Sequence, residues 1–242
     1  MNGLRDALGF LTVLPVGRKT PWEGAAMVGW FPAVGLILGG LWAAFDAAAG
    51  RLFPPTLQAG LDVLFLVIIT GGLHLDGLAD TMDGLFSHRG REECLRIMKD
   101  SRIGTWGVLG LVSVLGLKTL ALHEPLTGHR FMLLLLVPGY GRLAMLIGMS
   151  LLPYGRSEEG IAYLLYKGEK KRAWLPGALL MAAGSILMGG WTGFLILNAA
   201  FLLTLCFLLL YYRNRLGCIT GDMIGALGEV TETVLLVVSV AA

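Results

Sequence analysis

Apolar residues run through this chain in long blocks, and polar residues gather between the blocks. Seven blocks stand out: Val28–Ala48, Leu57–Leu75, Gly104–Leu122, Phe131–Leu152, Trp174–Gly190, Gly193–Tyr212 and Met223–Ala242. Each is close to the ~20 residues a helix needs to cross ~30 Å of hydrocarbon. Asn2–Val16 behaves differently, with Arg5 and Asp6 on one side and apolar residues on the other. That pattern predicts an amphipathic helix lying in the membrane interface or partly inserted. The expected fold class is all-α: a polytopic membrane protein with about seven transmembrane helices plus an N-terminal interfacial helix.

Composition agrees with the pattern. Of 242 residues, 55% are hydrophobic and 15% charged, where a soluble domain carries about 25% charged residues. Mean hydropathy is +0.72. The N-terminus lacks a signal-peptide layout. No repeat, low-complexity tract or linker divides the chain, so residues 1–242 read as a single integral membrane domain. The three cysteines, Cys94, Cys206 and Cys218, form no C-x-x-C pair and have no metal-ligand spacing. They are expected to be free thiols, which fits loops in reducing cytosol.

Charge placement sets the expected orientation. With a cytoplasmic N-terminus, one side receives Arg5, Arg18, Lys19, Arg89, Arg91, Arg96, Lys99, Arg102, Arg156, Lys167, Lys170, Lys171, Arg172, Arg213 and Arg215. The other side receives Arg51 and Arg130, while Lys118 and Arg142 fall within spans. The expected location is a bacterial cytoplasmic (inner) membrane, multi-pass, with segments 76–103, 153–172 and 213–222 in the cytosol and the C-terminus outside. The chemistry is expected on the cytoplasmic face, because every motif-rich segment falls there.

The densest motif is Asp76-Gly-Leu-Ala-Asp80-Thr-Met-Asp83-Gly84, where an apolar segment ends. At helical spacing (i, i+4, i+7) the three carboxylates share a face, spread over roughly 60°. Three anions on one stripe repel unless a cation joins them, and carboxylate oxygens suit a hard ion such as Mg²⁺. The bland alternative is three solvated residues at a helix end. His74 lies two residues before Asp76; it is either a hydrogen-bonded boundary histidine or a general base or substrate contact.

Three further groups accompany it. The basic run Arg89, Arg91, Arg96, Lys99 and Arg102 either sets topology alone or, through Ile97-Met-Lys99-Asp100-Ser-Arg102-Ile-Gly104-Thr-Trp-Gly107, clamps phosphate oxygens. Backbone N–H groups at the start of the next helix would add an anion seat. Arg142, inside a span, is costly unless it snorkels or meets an anion; Arg156 follows beside Glu158 and Glu159. Either arginine fits a structural ion pair or a substrate contact. Last, Thr220-Gly-Asp222-Met-Ile-Gly225-Ala-Leu-Gly228-Glu229-Val-Thr-Glu232 places Asp222 where it would complete the acidic site. Gly221, Gly225 and Gly228 offer a smooth stripe for helix packing. Glu229 and Glu232 lie deeper and need partners, for which Arg142 is a candidate.

An acidic cluster for metal plus Arg and Lys for phosphates are the parts of phosphoryl transfer. Asp80-x-x-Asp83-Gly84 has the D-x-x-D-G core of the CDP-alcohol phosphotransferases. The expected Ala-Arg reads Ser87-His88, however, and the later G-x-x-x-D-x-x-x-D is missing.

His74-Leu-Asp76-Gly-Leu-Ala-Asp80-Thr-Met-Asp83-Gly84, then Ile97 to Gly107, then Thr220-Gly-Asp222-Met-Ile-Gly-Ala226 followed by Glu232, resembles the cobalamin synthase (adenosylcobinamide-GDP ribazoletransferase) family. The resemblance runs in order from Leu11-Thr-Val-Leu-Pro15 to the last helix. One departure is Cys218, where the family usually has a second glycine. The resemblance implies an Mg²⁺-dependent transferase of vitamin B12 biosynthesis in the cytoplasmic membrane. Its substrates are adenosylcobinamide-GDP and α-ribazole or α-ribazole 5′-phosphate, its leaving group is GMP, and its product is adenosylcobalamin or the 5′-phosphate. On that reading the metal ligands are Asp76, Asp80, Asp83 and Asp222. The catalytic set is His74, Asp76, Asp80, Asp83, Lys99 and Arg102, and the substrate set is Arg96, Asp100, Arg142, Arg156, Thr220 and Glu229. The expected partners are the two substrates and the bilayer, with no nucleic acid; self-association and contact with other corrinoid-assembly enzymes stay open. The rival readings are a phospholipid synthase of the CDP-alcohol type and an ion-coupled transporter, which would spread its acids through the membrane depth.

Overall fold

The structure is a computed structural model that describes residues 2–17, 24–124, 129–156, 161–166 and 173–241. Among these residues the chain forms helices α1 (Asn2–Leu11), α2 (Gly24–Val28), α3 (Phe31–Ala49), α4 (Pro55–Thr70), α5 (Leu73–Leu85), α6 (Arg91–Ile97), α7 (Thr105–His123), α8 (Arg130–Leu151), α9 (Ile161–Tyr166), α10 (Leu175–Arg215) and α11 (Gly221–Ala241). No strand occurs among them; Tyr154 and Ile219 form an isolated parallel bridge. The all-α expectation holds.

Helix α8 forms the centre. Its residues from Leu133 to Met149 are almost all buried, as expected for a helix apolar on every side. Helices α3, α10 and α11 pack around it. A Cβ added at Gly35 of α3 would stand 2.6 Å from Gly139 Cα, so the two backbones approach as closely as small residues permit. The outer surface is apolar instead of polar: Leu120, Leu187, Leu203 and Phe207 are all well exposed. An exposed apolar belt of this kind belongs against lipid, and the chain is a multi-pass membrane protein.

Two segments differ from expectation. The block Leu57–Leu75 is not one span. Helix α4 stops at Thr70, where Gly71 (φ 62°) and Gly72 (φ 68°) are both left-handed. Gly71 N–H donates to Ile68 O and Gly72 N–H to Val67 O, the Schellman arrangement that satisfies the last carbonyls. The chain then turns through 94° into α5, so the aspartates occupy a helix of their own. Val13 N–H donates to Ile69 O at 2.9 Å, tying the N-terminal segment to this break. That segment is helical only to Leu11, and Arg5 Nε then holds Val16 O at 2.6 Å.

Trp174–Gly190 and Gly193–Tyr212 fall within the single element α10, which leaves helical geometry at Gly189 and Gly190 (φ 58°). Asn198 Nδ2 donates to Ser185 Oγ at 2.9 Å. In a straight helix those residues would be about 20 Å apart, so the chain folds back there. Among the described residues five helices qualify as spans by length and hydropathy, or six if α4 and α5 count as one. The expected seven is not reached by that measure, which takes α10 as one.

At the end of the bundle away from α5, Arg130 donates to Asp46 at 2.7 Å and to Asp62 at 3.2 Å. Gln58 Nε2 completes this knot on Asp46 at 2.6 Å. Asp46 and Asp62 lie inside apolar blocks and carry no local sequence signal. The three cysteines are free.

Candidate active site

Helix α5 presents two unlike faces. Asp76 is exposed and Asp80 and Asp83 are half-buried, whereas His74, Gly77, Leu78 and Thr81 are buried. The buried face meets α11. A Cβ at Gly77 would stand 2.9 Å from Asp222 Cα, and one at Gly225 would stand 3.1 Å from His74 Cα. Paired glycines thus let the helices touch backbone to backbone and bring Asp222 beside the stripe. Asp80 lies in the combined field of Asp222, Asp76 and Asp83, opposed by Arg156.

Arg156 is placed by the Tyr154–Ile219 bridge. Gly155 N–H donates to Ile219 O and Ile219 N–H to Pro153 O, each at 3.0 Å. This pins the loop after α8 to the turn before α11, and Arg156 Nη2 then donates to Asp222 Oδ2 and to Met98 O (3.2 Å). Thr220, expected among the substrate contacts, is fully buried. Its Oγ1 accepts from Met223 N–H at 3.3 Å, which caps the start of α11.

The anion seat expected at the start of α7 is filled from within. Asp83 Oδ2 accepts from Gly104 N–H at 2.7 Å, and Oδ1 accepts from Gly107 N–H at 2.8 Å. Residues 98–104 therefore form an arch pinned at both ends, to Arg156 through Met98 and to Asp83 through Gly104. Lys99 on the arch is exposed. Arg102 is folded onto Asp100 at 2.7 Å. That guanidinium, with the Arg102 backbone N–H, holds the Asp100 carboxyl well below the usual carboxylate range. Arg96 pairs with Glu93 on α6 at 2.5 Å.

His74, Arg142 and Glu229 are not brought to the stripe. His74 is two residues from Asp76, so it points to the opposite side of α5. It is buried, with Nδ1 3.4 Å from Arg142 Nη2. Arg142 pairs with Glu232, as the sequence suggested. Glu229, however, belongs to Lys118, whose Nζ donates to Glu229 at 2.7 Å and to Glu232 at 2.8 Å. Two cations and two carboxylates balance one another inside the bundle, which removes the cost of isolated charge there. The sequence signal for Lys118 was its position within an apolar block. Glu158, Glu159, Lys167, Lys170, Lys171 and Arg172, like Arg18 and Lys19, lie outside the described residues.

Among the described residues no group of three or more His, Cys, Asp or Glu side chains is gathered closely enough to hold a metal ion. Asp222 is engaged by Arg156 and Asp83 by two amides. Mg²⁺ is usually bound by one or two carboxylates together with substrate phosphates, not by an all-protein cage. Asp76 and Asp80 are the two carboxylates of the stripe that neither Arg156 nor the α7 amides engage.

A family model described as cobalamin-5-phosphate synthase matches residues 3–240. The adenosylcobinamide-GDP ribazoletransferase of Desulforamulus reducens is 38% identical over 237 residues, covering 96% of this chain and 93% of that protein. The protein of the same description from Acetivibrio thermocellus is 37% identical over 235 residues, covering 95% and 94%. That from Brevibacillus brevis is 36% identical over 245 residues, covering 99% and 98%. No solved structure matches.

Proposed function

Because the chain belongs to the cobalamin-5-phosphate synthase family, we propose that it joins α-ribazole or its 5′-phosphate to adenosylcobinamide-GDP and releases GMP. A ribazole hydroxyl oxygen attacks the phosphorus bonded to cobinamide. The bond from that phosphorus to the bridging oxygen breaks, GMP leaves with that oxygen, and the hydroxyl proton passes to a base. The observation that carries this reading is the meeting of α5 and α11, which sets Asp222 beside Asp76 and Asp80 with Arg156 against them.

Lys99, Arg102 and Arg156 oppose the charge of the diphosphate, with arginine suited to gripping phosphate oxygens in pairs. Asp100 fixes the direction of Arg102. His74, sealed among Arg142, Lys118 and Glu232, is not the group that takes the hydroxyl proton. Asp76 and Asp80, together with the substrate's own phosphate oxygens, would hold Mg²⁺, which would supply positive charge against the diphosphate. The site faces the cytoplasm of a bacterial inner membrane, in keeping with the basic residues Arg89, Arg91, Lys99, Arg102 and Arg156 on that side.

The test is direct. Purified protein in lipid nanodiscs is given adenosylcobinamide-GDP and α-ribazole 5′-phosphate with Mg²⁺, and GMP is followed. A parallel sample receives CDP-diacylglycerol and an alcohol acceptor. GMP release with formation of the joined corrinoid is expected in the first and no CMP in the second. CMP without GMP would overturn the reading.

A further inference from the structure

The arch 98–104 carries Lys99 and Arg102, and nothing in the chemistry of those side chains explains why the arch stands where it does. Its far end is held by one carboxylate. Asp83 spends an oxygen on each of Gly104 N–H and Gly107 N–H, across 21 and 24 residues of sequence. Both partners are glycines, and the carboxylate occupies the space where their side chains would be. A Cβ at Gly104 would stand 2.5 Å from Asp83 Oδ1, and one at Gly107 would stand 2.5 Å from Oδ2. At Gly104 all three nearest atoms belong to the Asp83 side chain; at Gly107 Ala79 O is also near, at 3.1 Å. Gly104 has extended backbone (φ −97°, ψ −179°) that any residue can adopt. Backbone conformation therefore does not require glycine at this position; the space taken by Asp83 does.

We infer that Gly104 and Gly107 are positioning residues of the site: their amides and their missing side chains let Asp83 dock the arch, so that Lys99 and Arg102 face the diphosphate of the substrate. This rests on the transferase reading above for the identity of the ligand, and on the geometry alone for the clamp. The opposite end of the arch is tied separately, through Met98 O to Arg156. Loss of the Gly104 end therefore frees one end of a tethered strap without releasing the other.

The experiment uses Gly104→Ala, Gly107→Ala and Gly110→Ala in the full chain in nanodiscs. Gly110 is the control: a Cβ there meets the flexible side chain of Met82 at 2.7 Å, on the same pair of helices, and none of its three nearest atoms belongs to Asp83. Two readouts are taken, the KM for adenosylcobinamide-GDP against kcat, and the rate of tryptic cleavage after Lys99 and Arg102. Gly104→Ala is expected to raise KM by about tenfold or more while kcat at saturation changes little, because misplacement of a binding group by ~1 Å is costly. It is also expected to speed cleavage of the arch severalfold. Gly107→Ala should act in the same direction, and Gly110→Ala should show neither effect. Wild-type KM and cleavage rate in Gly104→Ala would overturn the inference, as would equal changes in Gly104→Ala and Gly110→Ala. If the wild-type protein releases no GMP, the transferase reading fails by itself. The cleavage rates then decide the clamp, faster in Gly104→Ala than in Gly110→Ala supporting it and equal rates overturning it.

Discussion

Arg156 donates a hydrogen bond to Asp222 across 66 residues of sequence. Through the same nitrogen it reaches Met98 O at 3.2 Å. One guanidinium thus joins the loop after α8, the start of α11 and the arch before α7. Replacing it by alanine removes both hydrogen bonds and leaves Asp222 without its cation. Arg156→Ala is expected to lower kcat/KM for the diphosphate substrate by roughly 10- to 100-fold, the range for residues that support a ligand set. Arg156→Lys should fall between, since lysine keeps the charge but not the fork. Steady-state GMP release measures both; an alanine variant with full activity would remove Arg156 from the site.

Asp80 sits at the middle of the stripe, between Asp76 and Asp83 on α5 and opposite Asp222 on α11. Asp80→Asn is expected to cost more than the roughly 100-fold typical of supporting residues and to move the Mg²⁺ midpoint upward. A titration of GMP release with Mg²⁺ checks it. Unchanged activity and an unchanged midpoint would remove the metal proposal.

Lys118 holds Glu229 and Glu232 within the bundle at 2.7 and 2.8 Å. Lys118→Met leaves Glu229 without its cation and Glu232 with Arg142 alone. The expected destabilisation is about 3–5 kcal/mol, the cost of breaking a buried pair by removing one partner. Lys118→Met combined with Glu229→Gln restores the charge balance and should recover most of that loss. Thermal unfolding in detergent compares the two; equal losses in single and double variants would contradict a charge-balance origin.

Asp100 gives the pH dependence a sign. Arg102 lowers its folded-state pKa, so the clip is fully present above the unfolded value of about 3.9. It is lost only as pH falls through the lower folded value. Between pH 5 and pH 8 the Asp100–Arg102 clip is therefore constant. Asp100→Asn is expected to change the level of activity and leave the shape of the pH–rate profile over that range unaltered. An acid limb that disappears in Asp100→Asn would refute this.

The acidic stripe was legible because helical periodicity is local: Asp76, Asp80 and Asp83 share a face wherever the helix lies. The break before it was less so. Gly71 and Gly72 stood in view, but the apolar block ran through them to Leu75, and hydropathy averages over a window wider than one turn. The expected division of 174–212 into two blocks met at the non-helical Gly189 and Gly190, since glycines interrupt helices by backbone freedom alone. His74 shows the opposite case. Its nearness to Asp76 in sequence suggested a shared site, yet a two-residue step on a helix turns the side chain to the far side.

Hydrophobic patterning by itself determined that this protein is a helical membrane protein, because burial in lipid is decided residue by residue along each block. Local motif spacing likewise determined which acids share a face. Which charge meets which was decided only in three dimensions. The pairing of Lys118 with Glu229 and Glu232, of Arg156 with Asp222, and of Asp83 with two glycine amides joins residues from 21 to 114 positions apart. Coulomb attraction and hydrogen bonding act through distance in space, and that distance is set by how the helices pack.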